Sequence, residues 1–397
     1  MSKTVIGLIV LLSVSIFIQL PTHAYVGDFI HDAADDPNPP ASPVRLIFIH
    51  HSTGENWLAD ENGGLGIALR DNNYFVSDTN YDWGPDAIGS LTDIGHWWLW
   101  FHGPDSSKYL DAMYAESEQH SAYSRMESGP DGENEIVMFK SCFPNSALQG
   151  DPNDVVPQID SNPLRGQDSG SEFHTVANAK GIYIDLLDYF QTRQDKLFIV
   201  ITAPPQSDAT YSSNARAFNE WLIHDWLRNY PYNNVFVFDF YNTLTTNGGS
   251  PDINDLNQET GNHHRWWQEA IQHKIDGDDD DNPNVSEYPS SSDDDHPSQA
   301  GNLKATAEYL PLLNVAYNRW KGTSAIPTTT THITDTTAPL TTIQTTVRET
   351  EGETTTPPQP ATTGPFPIEF LAVAAVALAA MVAVGILAVR RKRTTPS

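Results

Sequence analysis

The stretch VRLIFIHHSTGENWL, Val44–Leu58, carries an apolar run straight into His50, His51, Ser52 and Gly54. Four further runs share its near-continuous apolar character: Tyr74–Asp78, Glu135–Ser141, Lys196–Thr202 and Asn234–Phe240, beside Val44–His50 itself. Unbroken apolar runs, as opposed to strict alternation, mark strands covered on both faces. Helical patterns fall between or after them, over Gly63–Arg70, Val176–Phe190, Asn214–Asn229 and Gln299–Trp320. In the third, Ala215, Phe218, Leu222 and Trp226 recur at spacings of three and four and form one apolar face. Strands alternating with helices predict an α/β fold with a five-stranded parallel sheet and helices on both sides. Ligands in such folds bind beyond the carboxyl ends of the strands. Two long insertions, Thr79–Asn134 and Thr243–Ser292, are expected to shape the rim of that site.

The two ends of the 397-residue chain read as addresses. Residues 1–24, with Lys3, an apolar centre and a small residue at Ala24, predict a secretory signal peptide. Residues 367–389 contain the 20-residue apolar run Phe370–Val389, enough at about 1.5 Å per residue to cross a bilayer as a transmembrane helix. The basic cluster Arg390–Arg393 follows in the tail 390–397 and is expected to stay cytoplasmic. Removal of that tail as a processing signal is the other reading. Residues 327–366 are rich in Thr and Pro, have no apolar periodicity and predict a stalk. Extended, it would hold residues 25–326, one large domain, on the order of 100 Å from the membrane.

The formal charge of −29 argues against nucleic acid as a partner, because phosphate binding rests on basic side chains. The single cysteine, Cys142, excludes an internal disulfide framework.

Polar residues cluster where the strands end: HHSTG after the first, SCFPNS after the third, and DDDHP before the last helix. A serine nucleophile needs a base, and the base needs a partner that fixes its tautomer. Ser52, His296 and Asp293 supply these three types, and Asn145 would add an oxyanion donor. Standing alone, Ser52 and His296 also suit helix caps, and Asp294 or Asp295 could replace Asp293.

With these blocks in order, residues 43–321 resemble the SGNH, or GDSL-like, hydrolases, esterases with a flavodoxin-like three-layer α/β/α sandwich. Ser52 stands where that family has its nucleophile, and Asn145 where it has its oxyanion asparagine. DDDHP matches the D-x-x-H-P block, which implies Asp293 as orienting acid and His296 as base. ARAFNEWL, Ala215–Leu222, is similar to the helix before the fifth strand. Gly84 fits the remaining oxyanion position by distance, with Gly89 in reserve. The sequence departs from the pattern in having His50-His51 before the serine and CFPNS in place of Gly-x-Asn-Asp. The resemblance implies a serine esterase with no metal or organic cofactor, which the two terminal segments would place outside the cell on a membrane anchor. Its substrate would be an acylated small molecule or an acetylated glycan. A non-catalytic surface module binding glycans on the same fold is the alternative.

Other features have competing readings. His51 would contact substrate or replace a structural hydrogen bond. Trp97, Trp98 and Trp100 would form a sugar platform or pack the first insertion onto the core. Cys142 could be a nucleophile but more often such a thiol is buried and inert. Asp276–Asn284 could take calcium or remain a solvated acidic loop. His263 and His264 are adjacent and therefore poorly placed to share one ion. Asn284-Val285-Ser286 matches a glycosylation sequon. An α/β-hydrolase nucleophile elbow is set aside, since His50 occupies the position where that turn needs glycine.

Overall fold

All five apolar runs become strands of one parallel sheet. The structure is a computed structural model that describes residues 35–245, 261–275, 285–286, 288–291 and 294–322. The strands are β1 (Val44–Ile49), β2 (Tyr74–Thr79), β3 (Ile136–Lys140), β4 (Leu197–Ile201) and β5 (Val235–Phe238). Their order is β2-β1-β3-β4-β5, the flavodoxin-like arrangement with its reversal between β1 and β3. The register pairs Val44 with Tyr74 on one side of β1 and Leu46 with Ile136 on the other.

Alternation along the strands feeds two separate cores. Ile47, Ile49, Val137, Phe139, Phe198 and Val200 face one layer of helices. That layer holds α3 (Trp97–Phe101), α4 (Ser106–Ala115), α5 (Val176–Phe190) and α6 (Ser212–His224). Leu46, Phe48, Ile136, Met138, Ile199 and Ile201 face the other. There lie α1 (Ser52–Leu58), α2 (Leu65–Asp71) and α8 (Gln299–Gly322), with the short α7 (Phe240–Thr243) leaving β5. Thr175 starts α5 by accepting a hydrogen bond from Asn178 N–H.

α6 ends earlier than its apolar pattern suggests. After His224 the chain turns, and Trp226 instead docks by donating its indole N–H to Tyr183 O at 2.9 Å. The second insertion contributes an antiparallel hairpin, β6 (His263–Trp267) and β7 (Ala270–Lys274), and the strand β8 (Pro289–Ser291), which pairs with β9 (Asp294–Pro297) just beyond it. Among the described residues no helix is long and apolar enough to cross a membrane. The expected signal peptide, stalk, transmembrane helix and tail lie outside the described residues, as does the acidic loop Asp276–Asn284.

Candidate active site

β1 ends one residue before His50, and α1 begins at Ser52, so the serine sits in the joint between sheet and helix. Two contacts fix that joint. His50 is fully buried, with one ring nitrogen on His51 O at 2.8 Å and the other on Asp78 Oδ2 at 3.1 Å. Asp78 is itself held by Tyr123 OH and His120 N–H. Gly54 then allows the first turn of α1 to lie directly on the His50 side chain, since a Cβ there would come within 2.3 Å of His50 Cβ. Ser52 is the first residue of α1, so its backbone N–H belongs to the group that no residue of the helix can accept from.

The other half of the site arrives from the far end of the chain. β9 brings His296 so that its Nε2 lies 2.8 Å from Ser52 Oγ. On the opposite side of the ring, Nδ1 lies 2.6 Å from Asp294 Oδ1, which also accepts the His296 backbone N–H at 2.9 Å. These hydrogen bonds hold the Asp294 carboxyl below the usual aspartate range. Phe143 packs edge-on against the His296 ring, with centroids 5.0 Å apart. α1 and α8 are tied together by Trp57 Nε1–H donating to Thr306 Oγ1 at 2.9 Å.

The carboxylate on the histidine is thus Asp294, whereas the D-x-x-H spacing points to Asp293, which lies outside the described residues. The reason is the extended conformation of β9. In a strand, residues two apart share a face, which puts Asp294 beside His296. Asp295 points elsewhere and accepts from Ser207 N–H and Oγ–H.

Asn145 is 1% exposed and its amide is engaged inside the protein. Its Nδ2 donates to Asp93 Oδ1 at 2.6 Å and Cys142 O at 3.3 Å, and its Oδ1 accepts from Ile94 N–H at 2.8 Å. In this geometry it braces the first insertion against the end of β3 instead of offering an N–H to a substrate oxygen. Gly84 takes up a positive φ of 76° ahead of the turn Pro85–Ser90, and none of the described hydrogen bonds joins it to Ser52 or His296. The reserve Gly89 spends its N–H on Trp83 O at 2.9 Å.

The tryptophan platform is also corrected. Trp97 and Trp100 are fully buried, and Trp97 donates to Ser141 Oγ while packing on Phe139. Trp98 is half-buried beneath the Arg165 guanidinium. Large aromatic surface gains more from the core than from solvent, and the insertion uses it so. His51 has both ring nitrogens occupied, by Gly89 O at 2.7 Å and Thr92 Oγ1 at 3.1 Å. Burial lowers its pKa, which favours the neutral ring. Its face is stacked by Tyr81 at 4.0 Å, and Tyr81 is 55% exposed.

Sequence reasoning did not single out Tyr81, Asp78, Thr53 or Lys140. Lys140, the last residue of β3, is fully buried and donates to Thr53 Oγ1; burial lowers the pKa of its amine. Cys142 Sγ lies 3.3 Å from Thr53 Oγ1 and 4.0 Å from Ser52 Oγ, while His296 is turned to the serine. His263 and His264 diverge, as neighbours on a strand do: one meets Glu308 at 2.8 Å, the other accepts from Asp239 N–H at 2.9 Å.

No family model and no curated protein matches the chain. Among solved structures, a family two carbohydrate esterase from Clostridium thermocellum in complex with cellohexaose is similar, with 10% identity and a TM-score of 0.33. That match covers 71% of this chain and 66% of the other. A second, from work on a carbohydrate esterase whose active site displays divergent catalytic and non-catalytic binding functions, has 12% identity and a TM-score of 0.23 over 50% of this chain and 57% of that one. This chain therefore spans less than two thirds of either structure's length. At such scores the likeness leaves function to be argued from the site itself.

A hydroxyl on a histidine whose far nitrogen meets a carboxylate can do specific chemistry. The carboxylate fixes the tautomer with the proton on Nδ1, leaving Nε2 free to accept from the hydroxyl. The hydroxyl oxygen then becomes a nucleophile toward an acyl carbon.

Proposed function

We propose that the chain is a serine esterase that hydrolyses carboxylic esters, with Ser52 as nucleophile, His296 as general base and Asp294 as the group that orients the base. The observation that carries this reading is the unbroken run of hydrogen bonds Ser52 Oγ–His296 Nε2–Asp294 Oδ1, at 2.8 and 2.6 Å. Ser52 attacks the ester carbonyl as His296 takes its proton. The developing oxyanion is met by the Ser52 backbone N–H at the head of α1, where the helix also presents positive potential. His296 returns the proton to the leaving alcohol, and water repeats the sequence on the acyl-serine. The substrate class we favour is an acetylated glycan: the exposed Tyr81 ring, stacked on His51 beside Ser52, offers a flat face to a sugar. We place the enzyme outside the cell on a membrane anchor, on the strength of the two terminal segments in the sequence.

One observation favours a second reading. Asn145 is committed to Asp93 and Cys142, which suits a glycan-binding module that has kept the fold without turnover. A fluorophosphonate label separates the two. On the esterase reading the full chain is labelled, Ser52→Ala is not, and the variant loses acetyl-ester turnover by about 10⁴-fold or more. Absence of labelling and of turnover in the wild-type chain would leave only the binding module.

A further inference from the structure

A second group of chemistry-bearing side chains collects where the β6–β7 hairpin leans on α6 and the end of β5. Glu220 and His224 lie one turn apart on α6, with Glu220 Oε2 3.2 Å from His224 Nε2. The other oxygen of Glu220 lies 3.3 Å from Nε2 of His273 on β7. One ligating atom from each of the three residues can be chosen so that all lie within 4.8 Å of one another. Asp239, which follows β5, lies beside the group: it is fully buried, and its Oδ2 is 3.6 Å from His273 Nε2. That oxygen has no hydrogen-bond partner.

A buried carboxyl oxygen without a partner is costly, and this one is held in place. Asp239 Oδ1 accepts from Thr202 Oγ1–H at 3.0 Å and Asn242 N–H at 3.1 Å, which aims Oδ2 at His273. Asp239 N–H donates to His264 Nδ1, so the His264 proton sits on Nε2 and that ring walls the group without serving as a ligand. Arg216, the cation that bears on Glu220, is turned to Asn242 and Thr245.

A tetrahedral ion with nitrogen and oxygen ligands at about 2.0–2.1 Å sets those ligands roughly 3.3 Å apart. Each imidazole meets Glu220 at about that separation, His224 through one carboxylate oxygen and His273 through the other. Two imidazoles with a carboxylate suit a borderline dication of the zinc type. A cavity of about 370 Å³, walled in part by His224, His264 and His273, leads to the group from outside.

We infer that Glu220, His224 and His273 form a zinc-class metal site that staples the β6–β7 hairpin to α6, with the buried Asp239 Oδ2 beside it. With three protein ligands it leaves a fourth position for water, and it stands independently of the Ser52 reading.

The test uses the full chain stripped with chelator, desalted and titrated with Zn²⁺ alone at raised salt, which suppresses loose binding by surface carboxylates. His224→Gln and Glu220→Gln are the variants, because both positions are partly exposed and tolerate substitution better than His273. The expected result is about one tightly held zinc per wild-type chain, an affinity lower by at least ~100-fold in either variant, and a zinc-dependent rise in Tm confined to the wild type. Co²⁺ in place of zinc should give the visible spectrum of a tetrahedral ion. Equal zinc retention by wild type and the double variant, or no change of Tm with zinc, would overturn the inference, whatever the outcome at Ser52.

Discussion

Ser52 Oγ and His296 Nε2 lie 2.8 Å apart although 244 positions separate them in the chain. The contact exists because β1 lies in the interior of the sheet and delivers the serine to its carboxyl edge, while β9 and α8 close over that edge from the other end.

The acidic run before His296 yields a sharp comparison. Asp294→Asn should lower kcat on acetyl esters by about 10⁴-fold, because the amide supports the wrong imidazole tautomer. Asp295→Asn removes only the acceptor for Ser207 and should stay within a few-fold. Rates for Asp293→Asn close to wild type are expected as well. A collapse in that variant, with Asp294→Asn active, would return the orienting role to Asp293.

Gly54 sets the distance between α1 and His50. Gly54→Ala forces a Cβ to within 2.3 Å of His50 Cβ, so strand and helix must separate. Overpacking of this kind costs roughly 1–3 kcal/mol, and a displacement near 1 Å at the nucleophile costs about 10²-fold in rate. Urea unfolding and ester turnover measure the two effects separately; an unchanged rate would show that Ser52 does not depend on this packing.

Aromatic residues of the first insertion should divide by burial. Trp97→Ala removes a fully buried indole and should cost about 3–5 kcal/mol of stability. Tyr81→Ala should leave stability within about 1 kcal/mol and raise KM for glycan esters with little effect on small acetyl esters. If both substrates respond alike, Tyr81 is no sugar contact.

Acid stability should report on Glu308. Burial by itself would raise its pKa, but the Lys304 charge and hydrogen bonds from His263 and the His264 N–H outweigh that and hold it below the usual range. A carboxylate depressed on folding contributes stability that is fully present above the unfolded value, near 4.3, and lost as pH falls through the lower folded value. Glu308→Gln should therefore flatten the stability profile below about pH 4. At neutral pH it should cost roughly 3–5 kcal/mol, as breaking a buried ionic group does. Thermal melts across that pH range are the measurement, and parallel profiles for the two proteins would refute the assignment.

The sheet was legible because buried parallel strands need long apolar runs, and all five such runs in the sequence became strands. Ser52 and His296 were legible because polar residues at the carboxyl ends of such a sheet have few other reasons to converge. The carboxylate that meets His296 was not, because three consecutive aspartates look alike until the backbone is known to be extended there. Lys140 was missed for a different reason. A lysine ending a strand reads as the point where the chain reaches solvent, yet α1 covers it and Thr53 Oγ1 accepts its hydrogen bond. The tryptophans misled because a cluster of rings looks the same in sequence whether it faces sugar or Phe139.

The tie between α1 and α8 through Trp57 and Thr306 has a temporal side. A chain is made from its N-terminus, and domains organise in that order. The serine is therefore synthesised early, but its partner histidine enters with the last strand and helix of the domain. Under the esterase reading, every product that stops short of β9 carries the hydroxyl and no base. On that reading the protein stays chemically silent while it is being made, and gains its activity only when the last strand and helix dock.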